Sequence, residues 1–87
     1  MTDTDSIIED AAKAITADVE GTADDLKGLS EAVTKFASSI RSGTNEGIYS
    51  ARRTLTLALV GLRVSDAAAR VLDYERTVGA VYHPGQY

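Results

Sequence analysis

The stretch that decides the fold is IYSARRTLTLALVGLRVSDAAARVLDYERTVGAV, residues Ile48–Val81. It carries two apolar rows, each advancing by alternating steps of three and four residues, which is the spacing of one helix face. The first row is Ile48, Ala51, Leu55, Ala58, Leu62, Ser65, Ala69 and Leu72. The second row is Leu57, Val60, Val64, Ala67, Val71, Tyr74, Val78 and Val81. Because two residues turn a helix by about 200°, the rows lie on nearly opposite sides. The stretch therefore predicts one long helix with two apolar flanks.

The first half of the chain has a single apolar row. Its members are Ile8, Ala12, Ile15, Val19, Thr22, Leu26, Leu29, Val33, Phe36 and Ile40. Their spacing alternates between four and three throughout, which is typical of a coiled-coil seam. Ser6–Glu9 fits a capping box, so we predict a first helix over about residues 6–41.

Two glycines leave an alternative for this segment. Gly21 and Gly28 each cost a helix about 1 kcal/mol relative to Ala, and Thr22–Asp25 fits a second capping box. The first helix either breaks near Gly21 or runs on. We favour the continuous helix because the apolar row keeps its phase, and the glycines can then let another backbone approach closely.

Ser42–Gly47 is the clearest loop, with Gly43 suited to the left-handed end of a helix. We therefore predict helix 1 over about 6–41, a turn at 42–47, helix 2 over about 48–79 and a C-terminal tail at 80–87. The predicted fold class is all-α, an antiparallel two-helix hairpin of coiled-coil-like helices forming one domain over residues 1–87. One face of helix 2 packs on helix 1, and the other completes its core by oligomerisation.

Composition narrows the classes of function. The 87 residues include no Cys and one His, which excludes disulfides, Cys-based metal sites and multi-His zinc sites within one chain. We find no catalytic motif and no phosphate-binding loop, so we expect no enzyme, no cofactor and no metal. Residues 1–40 carry nine acidic and three basic side chains, whereas residues 41–87 carry four acidic and six basic ones. This asymmetry favours pairing of the two halves, or marks ordinary solvated faces.

The sequence also bears on where in the cell the protein is found. The acidic, polar N-terminus lacks the features of a signal peptide, and the longest apolar run, 55–64, is shorter than the roughly 20 residues of a membrane span. We expect a cytoplasmic or particle-associated protein. Arg41, Arg52 and Arg53 form a small basic cluster, but the net charge of −4 argues against nucleic-acid binding and leaves membrane-surface binding as a minor alternative.

The layout of two helices joined by a glycine-containing turn is similar to the small hairpin proteins exported by type VII secretion. In size and plan it also resembles secretion-needle subunits, which are hairpins that polymerise. The turn Ser42–Gly47 lacks the Trp of the first family and the Pro of the second. Tyr74 is followed four residues later by Val78 instead of the acidic residue of the type VII export signal. The sequence is assigned to neither family.

These features predict a non-enzymatic structural protein, a self-associating hairpin acting as subunit, connector or scaffold of a virion-like or secretion-type particle. The predicted interaction residues are Leu57, Val60, Val64, Ala67, Val71, Tyr74, Val78, Val81, Tyr82, His83, Pro84 and Tyr87. The last four form an aromatic tail that docks on a neighbouring subunit or another protein, or folds back on its own helix. The alternative function is a small adaptor, regulator or secreted hairpin protein that captures a different protein with helix 2.

Overall fold

The computed structural model describes residues 3–85, which form four α-helices and no strand. Helix α1 spans Asp3–Thr16, α2 spans Ala23–Ser42, α3 spans Asn45–Gly61 and α4 spans Ala67–Tyr82. The all-α prediction is confirmed. The two-helix hairpin is wrong, because each predicted long helix is broken in two.

The first break lies between α1 and α2, near Gly21. The side chain of Thr22 accepts a hydrogen bond from the Asp25 amide at 3.1 Å, and the Thr22 amide donates to the Asp25 carboxylate at 3.2 Å. This capping box starts α2. A side chain added at Gly21 meets the side chain of Leu62 at 3.1 Å, and one added at Gly28 meets nothing within 4 Å, so the predicted close approach of another backbone is not found at either glycine. At the other end, α1 already begins at Asp3, so Ser6 lies inside the helix and does not cap it.

The second break lies between α3 and α4. The amide of Val64 donates to the carbonyl of Leu59 at 3.0 Å, and the amide of Arg63 donates to Val60 at 2.9 Å. This is the bonding pattern of a Schellman motif, with Arg63 in the left-handed conformation (φ 62°) that glycine usually takes. The chain then turns back over residues 62–66, and α4 packs against the other three helices.

Helices α2 and α3 form a tight antiparallel hairpin. Gly43 ends α2 in the left-handed conformation (φ 75°), and α3 begins at Asn45, so the turn is shorter than the predicted 42–47. Helix α1 packs mainly on α4 and touches α2 little. The shared core comprises Ile15, Leu29, Val33, Phe36, Ile40, Ile48, Ala51, Leu55, Leu59, Ala67, Val71, Tyr74 and Val78.

The C-terminal half of the second apolar row belongs to this core. Ala67, Val71, Tyr74 and Val78 are buried within the chain, so they are not available to a partner as predicted. The break at 62–66 is the physical reason, because it rotates α4 relative to α3 and turns the second row inward. The predicted tail is also shorter, since α4 continues to Tyr82. No helix within residues 3–85 is long and apolar enough to cross a membrane.

Tyr74 gives the fold a predicted sensitivity to alkaline pH. Burial, with a smaller contribution from Tyr82, raises the pKa of Tyr74 to about 12. An unfolded chain has the ordinary tyrosine pKa of about 10, so the unfolded state loses this proton first. Stability is therefore fully present below pH 10 and falls as the pH rises towards 12, by about 2–3 kcal/mol. We expect Tyr74→Phe to flatten this part of the stability curve in urea titrations at pH 9, 10 and 11. An unchanged slope would contradict the assignment to Tyr74.

Candidate protein-association surface

The outward face of α3 carries large apolar side chains in water. Tyr49, Leu57 and Val60 are 62%, 59% and 57% exposed, and Arg53 lies between them and is also exposed. At 100° per residue these four residues fall within an arc of about 80° on the helix surface. The opposite side of α3 buries Ile48, Ala51, Leu55 and Leu59 in the core. We call Tyr49, Arg53, Leu57 and Val60 the α3 stripe.

The α3 stripe stands out from the rest of the surface. Single exposed apolar residues are normal in folded proteins, but three of the six large exposed hydrophobic side chains among the described residues lie on this one helix face. From Tyr49 to Val60 the stripe is about 16 Å long. Tyrosine and arginine are also the residue types most enriched where proteins bind proteins. The stripe therefore has the composition of a contact surface.

The structure separates the predicted interaction residues into three groups. Leu57 and Val60 are exposed, whereas Val64 and Val81 are half-buried and Val64 packs against the core. Ala67, Val71, Tyr74 and Val78 form part of the core. Sequence reasoning missed Tyr49 and Arg53, although they precede Leu57 by eight and four residues, which was a signal for the same helix face.

The aromatic tail lies on its own chain. The Nε2 atom of His83 is 2.9 Å from the carbonyl oxygen of Ile40, to which it donates at the C-terminal end of α2. Tyr82 packs against the core, and Pro84 is exposed. The predicted contact residue Tyr87 lies outside the described residues. Folding back is thus the arrangement observed for residues 82–83, where the sequence left both alternatives open.

Two arginine side chains link neighbouring parts of the fold. Arg52 pairs with the buried Glu75 at 2.6 Å and so ties α3 to α4. Arg70 pairs with Asp66 at 3.0 Å and also donates to the carbonyl of Ala17, which ties α4 to the end of α1. Arg52 is therefore engaged within the chain, and its neighbour Arg53 carries the exposed positive charge of the stripe.

The described residues hold no group of three or more His, Cys, Asp or Glu side chains that could bind a metal ion. A small apolar cleft of about 90 Å³ lies between α1 and α4, and its lining includes Ala11, Tyr74 and the engaged Arg70. Comparison with protein-family models, curated proteins and solved structures found no match for this chain. The α3 stripe is therefore the strongest candidate for a functional surface.

Proposed function

We propose that this protein is a non-enzymatic assembly protein that associates with copies of itself through the α3 stripe. The observation that carries the proposal is the exposure of Tyr49, Leu57 and Val60 on one helix face, where residues 3–85 leave more than half of each side chain in water. Fully burying a Leu or Val side chain stabilises by about 1.5–3 kcal/mol, so covering these half-exposed residues favours association. The role we propose is that of a subunit, connector or scaffold in a larger particle.

The size of the stripe sets the expected strength of association. A standard interface buries about 800 Å² on each partner, and three half-exposed side chains supply only part of that area. Association also costs at least about 4 kcal/mol in lost translational and rotational freedom. We therefore expect a reversible, concentration-dependent assembly, stabilised further when many subunits meet in one particle.

A double substitution tests the proposal. We expect Leu57→Glu with Val60→Glu to leave a monomer at concentrations where the unchanged protein associates, because two carboxylates on the stripe oppose its desolvation. Both positions are more than half exposed, so the fold should persist, as checked by circular dichroism. The measurement is the average mass by sedimentation equilibrium over a concentration series.

Ile7→Glu is the matched control. Ile7 is a large apolar residue that is 42% exposed on α1, away from the stripe, and its replacement should not change the mass. A protein that is monomeric at every concentration would contradict self-association. It would support the second candidate, a small adaptor or regulator that uses the same Tyr- and Arg-containing stripe to bind a different protein.

A further inference from the structure

A groove runs between α1 and α2 because these two helices scarcely touch. It consists of two adjoining clefts that share Glu9, Ala12, Val33 and Thr34. One cleft, of about 440 Å³, extends towards Leu26, which is 40% exposed, and the other extends towards Tyr82. We call this surface the α1–α2 groove.

The α1–α2 groove matches the α3 stripe in shape and length. The groove is concave with an apolar floor that includes Ala12, Leu29 and Val33, whereas the stripe is convex. The groove follows α1, whose 14 residues extend about 21 Å, and the stripe is about 16 Å long. A helix that lays its apolar face in a groove is a recurrent form of protein recognition.

The two surfaces lie on opposite sides of α2. Leu26 and Ser30 of α2 line the groove beside α1, while Gly28 and Ala32 line the side next to α3. Residues two apart on a helix point about 200° apart, so the groove faces away from α3. One molecule can therefore offer its stripe and its groove to two different neighbours at the same time.

Charge favours pairing of the stripe with the groove. Residues 3–42, which include α1 and α2, carry nine acidic and four basic side chains. Asp5, Glu9 and Lys13 line the groove, so the charge of its lining is −1. The stripe carries the exposed cation Arg53. Pairing two stripes brings two Arg53 side chains together, and pairing two grooves brings two acidic surfaces together. Pairing of the stripe with the groove avoids both repulsions.

We infer that the α1–α2 groove of one copy receives the α3 stripe of the next, so that self-association is head-to-tail. This inference rests on the proposed function and adds its geometry. Such an interface uses two different surfaces and forms rings or open filaments, whereas pairing of one surface with itself stops at a dimer. Raised salt weakens the assembly by screening the charges.

Two variants, each blocked at one surface, test the inference. The stripe variant carries Leu57→Glu and Val60→Glu. The groove variant carries Ser30→Gln and Thr34→Gln, which fill the groove at two exposed positions with larger polar side chains. These side chains are uncharged, so they do not attract the two carboxylates of the stripe variant. We expect each variant alone to be monomeric by sedimentation. Their equimolar mixture should form a dimer of twice the monomer mass and grow no further, because one intact stripe meets one intact groove.

Other results distinguish head-to-tail pairing from self-association through the stripe alone. If the groove variant associates like the unchanged protein and the mixture forms no mixed dimer, head-to-tail pairing is overturned while self-association through the stripe stands. If the unchanged protein is itself monomeric at all concentrations, the proposed function fails and the inference fails with it. Circular dichroism of both variants excludes loss of the fold as the cause of a monomer.

Discussion

Val71→Glu is expected to unfold the protein at neutral pH. Val71 is 1% exposed, on the core-facing side of α4, so a carboxylate placed there is shielded from water. Burying an unpaired charge costs several kcal/mol even after relaxation. A chain of this length has about 4–13 kcal/mol of total stability, so one such change removes most or all of it. Circular dichroism and urea titration measure the loss.

Val60→Glu is the matched control for this substitution. Val60 belongs to the same apolar row and receives the same side chain, but it is 57% exposed on α3. We expect its effect on stability to stay within about 0.5 kcal/mol. If both variants fold equally well and both lose association, α4 presents its row outwards, and the fold described here is wrong at the second break.

The first break was accessible from the sequence. Thr22 and Asp25 form the capping box that their spacing indicates, and Gly21 marks the place. The apolar row argued against a break, but a heptad row continues through a sharp turn if both helices bury it in the same core. Periodicity therefore reports which residues are buried more reliably than it reports whether the helix is continuous.

The sequence contains no comparable signal for the second break, between α3 and α4. A Schellman ending usually places glycine in the left-handed position, but here that position holds Arg63. Left-handed backbone costs a non-glycine residue about 1–2 kcal/mol, and the packing of α4 in the core offsets it. Such a break depends on long-range contacts, so local sequence reasoning cannot find it.

The functional surface was predictable only in part. Leu57 and Val60 were identified from the second row and are exposed, whereas Val71 and Val78 of the same row are buried in the chain itself. The same row is thus exposed on α3 and buried on α4, so an apolar row does not show by itself which of its members the chain covers. Tyr49 and Arg53 extend the exposed face towards the start of α3, in steps of four residues that continue the second row backwards from Leu57.

The second large effect is expected from Phe36→Ala. Phe36 is fully buried on α2, and its ring centroid lies 5.7 Å from that of Tyr74 on α4. It therefore joins the α2–α3 hairpin to the α1–α4 pair. Removing a buried Phe side chain costs about 3–5 kcal/mol, because it loses apolar contacts and leaves a cavity. We expect the midpoint of urea unfolding to fall sharply.

Two further substitutions distinguish the loss of the Phe36 contacts in the core from a general loss of apolar surface. Leu72→Ala removes a large side chain that is half exposed on α4, so it should change stability by less than about 0.5 kcal/mol. Phe36→Leu keeps most of the volume and should cost clearly less than Phe36→Ala. If Phe36→Ala costs no more than Leu72→Ala, the two helix pairs do not share a core at Phe36. The same result would remove the reason for α4 to fold back, since contacts of this kind are what offset the strained backbone at Arg63.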